Sequence, residues 1–134
     1  MINVIKIRDR QSFSFDDVNQ GYITLNFPTG LVTPREIIRE RVFREVLDYN
    51  EKKPEIFSGL VQPVGAERIL NGFKMREKKE IDPQEQYKKA VEAFESNRFV
   101  MLVDDFQIET LDEQIEIERD VEVTFLKLVP LVGG

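Results

Sequence analysis

Residues 120–134, DVEVTFLKLVPLVGG, limit the possible folds more than any other part of this chain. Val121, Val123 and Phe125 alternate with Glu122 and Thr124, the period-two pattern of a half-buried strand. Leu126, Leu128 and Val129 then put apolar groups on both faces, as a strand does where neighbours cover it. Pro130 has no N–H to give an interior ladder, so the sheet is expected to stop there. Leu131, Val132, Gly133 and Gly134 are left to project as a tail. A tail without side chains at its tip can enter a narrow slot.

The rest of the chain supplies partners for that strand. Residues 2–8, with Ile5 and Ile7, read as a first strand, and YITLNF at 22–27, ending at Pro28, as a second. The two are expected to pair antiparallel through a long polar connection. Residues 33–49 form the clearest helix: Thr33 caps, Pro34 opens and Glu36 completes a capping box. Ile38, Val42, Val46 and Tyr49 make its apolar stripe, which is expected to pack on the sheet. Arg35, Arg39, Arg41 and Arg44 are assigned to the opposite side, paired with Glu36, Glu40 and Glu45. Residues 51–82 read mostly as loop or insertion, with a short helix at 66–70 closed by Asn71-Gly72. Residues 82–97 repeat the helix grammar, with Asp82 as cap and Pro83 first. FVMLV at 99–103 is apolar throughout, so it reads as a strand covered on both faces. Short segments at 106–108 and 113–117 lead to the final strand. Strands at both ends with helices between them predict one α+β layer domain over 1–134. The insertion is placed at about 51–97, and the tail at 130–134.

Composition removes several functions. The chain has 134 residues, 41% hydrophobic and 33% charged, without an apolar run long enough to span a membrane. Its start, MINVIKIRDR, has no signal-peptide core, so the expected location is cytoplasmic. With neither cysteine nor histidine, it lacks a thiolate nucleophile, zinc–thiolate ligands and the commonest general base. A net charge of −6 argues against sequence-independent nucleic-acid binding, and no metal or cofactor is expected. Asp104-Asp105 reads as a turn, the acids from Asp104 to Glu122 as a solvated face, and Lys74 to Lys79 as an exposed basic loop.

The order of elements resembles a β-grasp fold. Residues 103–134, from Val103-Asp104-Asp105 through the acidic turn to the apolar-Pro-x-x-Gly-Gly end, resemble ubiquitin-like and sulfur-carrier proteins. The small molybdopterin-synthase and thiamine carriers are the nearest in pattern. The resemblance covers about a quarter of the chain closely; residues 51–97 depart from it. It implies that the Gly134 carboxylate is adenylated by an E1-like enzyme that binds the ATP, with Gly133 as its slim neighbour. Pro130, Leu131 and Val132 become the segment read by that partner. The acyl group then passes to a lysine of a target protein, or to sulfide for a sulfur-accepting synthase. On this reading the protein is a substrate and not an enzyme. The alternative is a non-covalent β-grasp adaptor that holds a protein partner through its tail or sheet.

Overall fold

The computed structural model describes residues 3–11, 23–69, 72–77, 79–117 and 120–128. In chain order the elements are β1 (Asn3–Gln11), β2 (Ile23–Phe27), β3 (Leu31–Val32), α1 (Pro34–Lys52) and β4 (Ile56–Phe57). There follow β5 (Ala66–Ile69), β6 (Gly72–Met75), α2 (Pro83–Glu95), β7 (Phe99–Val103), β8 (Phe106–Ile108), β9 (Ile115–Glu116) and β10 (Val121–Lys127). The architecture is α+β, and the described residues fall into two compact units. One lies within Met1–Ile37 and Phe94–Gly134, the other is Ile38–Ala93.

The first unit is built on a five-stranded mixed sheet in the order β2-β1-β10-β7-β8. β1 and β2 are antiparallel, as expected, with Ile5 opposite Leu25. β10 lies parallel to β1, with Ile5, Ile7 and Asp9 opposite Val121, Val123 and Phe125. It runs antiparallel to β7, with Phe125 opposite Met101. The register puts the sequence's alternating residues on one buried face. Ile5, Ile7, Leu25, Met101, Val123 and Phe125 are each 1% exposed or less. Burying an aliphatic or aromatic side chain of this kind contributes about 1.5–3 kcal/mol, which makes this row the main stabilising term of the unit. Phe99 stacks obliquely between Phe94 and Phe125, with centroids 6.0 and 5.8 Å away. A second, two-stranded sheet pairs β3 with β9 and is extended by the Ile117 N–H, which donates to the Gly30 carbonyl at 2.9 Å.

Local chemistry sets the helix ends. The Glu36 N–H donates to Thr33 Oγ1 at 3.2 Å, one arm of the expected capping box, and the Thr33 hydroxyl donates to Glu36 Oε1 at 3.3 Å. Asp82 Oδ1 accepts the Gln84 N–H at 2.9 Å and so caps α2. α1 runs past the expected end at Tyr49 to Lys52, and Lys53 ends it in the left-handed region at φ 42°. Asn97 ends α2 in the same way at φ 58°.

The second unit corrects two expectations. Residues 66–69 form a strand, not a helix: β5 pairs with β6, which also takes β4, giving a three-stranded antiparallel sheet in the order β4-β6-β5. A lone turn of helix fixes several residues for one hydrogen bond, whereas a hairpin satisfies the backbone of both arms. Gly72 makes the close pairing possible. Its φ is 150°, and a Cβ there would lie 2.9 Å from both Ile56 Cγ2 and the Phe57 carbonyl oxygen.

Arg41 is the second correction. Assigned to the polar side of α1, it is 1% exposed. Its Nε lies 2.5 Å from Glu45 Oε1, and Glu45 Oε2 accepts the Leu60 N–H at 3.1 Å. The buried guanidinium is matched by a carboxylate that also holds the chain after β4. Removing one partner of such a pair strands a charge. Glu45→Ala is therefore expected to lower unfolding free energy by about 3–5 kcal/mol in urea denaturation, a far larger loss than an exposed pair gives. Tyr49 behaves oppositely. It meets Phe57 edge-on at 5.5 Å, but its buried hydroxyl has no hydrogen-bond partner among the described residues, and burial raises its pKa. Tyr49→Phe is expected to raise stability by about 1 kcal/mol in the same measurement, because an unsatisfied polar group is removed.

Candidate functional site

The five residues singled out in the sequence, Pro130, Leu131, Val132, Gly133 and Gly134, lie outside the described residues. The structure does describe the root from which they continue. β10 occupies the middle of its sheet and has a ladder on each side up to its last residue: Lys127 stands opposite Gln11 on β1 and Phe99 on β7. One position further, the Leu128 N–H donates to the Arg98 carbonyl at 3.1 Å. At the strand's other end the Asp104 N–H donates to the Glu122 carbonyl at 2.9 Å. The strand thus has a neighbour on each side, and its last residues lie in the sheet's interior rather than at an edge.

Charged groups flank that departure point. Arg10 stands opposite Leu126 in the ladder, and the Arg98 carbonyl is the acceptor for Leu128. Lys127 Nζ lies 3.7 Å from Oδ2 of Asp9, whose side chain is 1% exposed. On the half-exposed opposite face Arg8 lies 3.4 Å from Glu122. Asp9 was not anticipated as a site residue, although the sequence carried its signal. An acid stands third in the series Ile5, Ile7, Asp9, where alternation calls for an apolar group.

Each unit also carries a recess. In the first unit a recess of about 580 Å³ is lined by Arg35, Phe94, Asn97, Phe99, Thr110 and Asp112 among others. Arg35 donates to Asp112 through both Nε and Nη2, at 3.0 and 3.2 Å, and its own N–H donates to the Leu111 carbonyl. This fork ties the loop after β8 to the start of α1. The other recess, about 350 Å³, lies within the second unit and includes Gly65, Met75, Arg76, Lys79, Asp82 and Gln86. There Asn50 fixes the Ile81 backbone by accepting its N–H at 2.8 Å and donating to its carbonyl at 2.9 Å. Lys79, from the basic run, sits 2.8 Å from Glu77.

Asp104-Asp105 forms the turn between β7 and β8. Asp104 takes φ 55°, and its backbone and carboxylate both face Glu122. Among the described residues, no group of three or more Asp and Glu is placed to hold a metal ion. No described helix is long and apolar enough to cross a membrane. No family model, curated protein or solved structure gives a significant match to this chain.

The Arg35 fork holds the Asp112 carboxyl below the usual carboxylate range, chiefly through its hydrogen bond. Whatever this pair contributes is present above the ordinary carboxylate pKa of about 3.9 and is lost as pH falls through the depressed value. Carbon-13 NMR titration is expected to show Asp112 protonating at lower pH than an unpaired aspartate, and Arg35→Gln is expected to bring it back up.

Proposed function

We propose that this protein is a ubiquitin-like carrier of β-grasp fold whose Gly134 carboxylate is activated as an acyl-adenylate by an E1-like enzyme. The observation that carries the reading is the sheet order β2-β1-β10-β7-β8 with β1 and β10 parallel at its centre. That arrangement agrees with a β-grasp sheet, and it gives the last strand a neighbour on each side. A short segment, Val129 to Gly134, then continues from a rigid root.

The chemistry needs little from the protein beyond presentation. The carboxylate attacks the α-phosphorus of ATP held by the partner, and pyrophosphate leaves. A lysine amine, directly or through a thioester, or sulfide then displaces AMP. Side chains at Gly133 and Gly134 would obstruct the approach to the nucleotide, so glycine suits both positions. Backbone hydrogen bonds to an extended Leu131-Val132 segment supply grip without bulk. The protein acts as substrate, ATP belongs to the partner, and a target protein or a sulfur-accepting synthase receives the product. Two outcomes, lysine conjugation and thiocarboxylate formation, share every step up to the acyl-adenylate.

Intact mass spectrometry of the protein purified from its native cell tests the reading, together with incubation with an E1-like enzyme, ATP and sulfide. The expected results are an oxygen-for-sulfur exchange at Gly134 or, in digests of other proteins from that cell, lysines joined to the Gly133-Gly134 end of this chain. Truncation of both glycines is expected to abolish either product. An unreactive Gly134 with a partner that stays bound after truncation would sink the carrier reading and leave a non-covalent adaptor.

A further inference from the structure

We propose that Asp9 is a positioning residue for the tail: its buried carboxylate holds Lys127, the last residue of β10, and so fixes where and in which direction the chain leaves the sheet. This role rests on the reading of Gly134 as the activated residue and adds the device that presents it.

Asp9 is an acid in a row of apolar groups. On β1, Ile5, Ile7 and Asp9 face the same side and are 0%, 1% and 2% exposed. Their partners across the ladder are Val121, Val123 and Phe125, among the most buried residues of the chain. A carboxylate in that row gives up its hydration, and it must be paired to stay ionised. An aliphatic side chain would fill the position without that penalty. Packing alone therefore does not account for an aspartate.

Its ion-pair partner does. Lys127 Nζ reaches Asp9 Oδ2 at 3.7 Å while Lys127 keeps a quarter of its side chain exposed. Asp9 and Lys127 each make further interactions within the chain besides this one. The pair sits where both backbone ladders run out: Lys127 is the final position opposite Gln11 and Phe99, and the Leu128 N–H to Arg98 lies one step beyond. Strand ends fray where ladders finish. A charge pair anchored in the core resists fraying at that spot. For a tail that must enter a channel, a fixed root removes orientational freedom before binding.

The test compares Asp9→Leu, Asp9→Asn and Lys127→Arg. Hydrogen exchange by NMR is read at the Leu128 amide and, as internal controls, at Ile7 and Val123. In Asp9→Leu the melting temperature is expected to hold or rise, since an apolar residue replaces a buried charge. Leu128 exchange is nevertheless expected to speed up about tenfold, with Ile7 and Val123 unchanged. Asp9→Asn is expected to loosen Leu128 likewise, and Lys127→Arg, which keeps the charge, to leave it protected. In adenylation assays with an E1-like enzyme, Asp9→Leu is expected to raise KM for the protein and leave kcat alone. Leu128 exchange that stays unchanged in Asp9→Leu, or that shifts only in step with Ile7 and Val123, would overturn the proposal. If a chain without Gly133 and Gly134 is adenylated as well as the intact one, the carrier reading fails, and Leu128 exchange still decides the role of Asp9.

Discussion

The parallel pairing of β1 with β10 is the interaction on which the first unit depends. It joins two antiparallel sets, β2-β1 and β10-β7-β8, that share no other ladder among the described residues. Parallel neighbours cannot be linked by a tight turn and need a long crossover. Here the crossover is nearly the whole chain, so both helices and the second unit lie in sequence between the two central strands. The joint is held by side chains as much as by backbone. Ile5, Ile7, Val121, Val123 and Phe125 form one continuous buried row along it.

That constraint gives the last described strand its structural weight. An edge strand leading into a tail would compete between holding the sheet and serving a partner. β10 is held on two sides through Lys127. The polar features near the root work in the same direction. Asp9 and Lys127 pair at the last ladder position, Arg98 accepts Leu128, and the Arg35–Asp112 fork ties down the loop after β8.

Much of this was legible in residue order. Alternation at Val121, Val123 and Phe125 and the Thr33-Pro34-Glu36 cap each became the element they implied, because local preference and burial agree there. The apolar run at 99–103 became a strand, but with Phe99 and Met101 buried and Val100, Leu102 and Val103 half-buried it is covered on one face and not on both. Where they diverge, sequence misled. Arg41 belongs by charge on a solvated helix face, yet Glu45 and the Leu60 amide create an interior place for it. Residues 66–69 contain good helix formers, but β6 offers them a ladder, and tertiary pairing overrides propensity. Asp9 breaks the alternation set by Ile5 and Ile7, but its partner Lys127 lies far along the chain, so the pairing itself has no local pattern to read.

Everything rests on β10 lying in the sheet's centre, parallel to β1. NMR couplings across hydrogen bonds, with interstrand nuclear Overhauser contacts, measure that directly. Contacts placing Ile7 beside Val123 and Phe125 beside Met101 are expected, with slow exchange for amides on both sides of β10. An antiparallel β1–β10 register, or rapid exchange at every second β10 amide as in an edge strand, would contradict the arrangement.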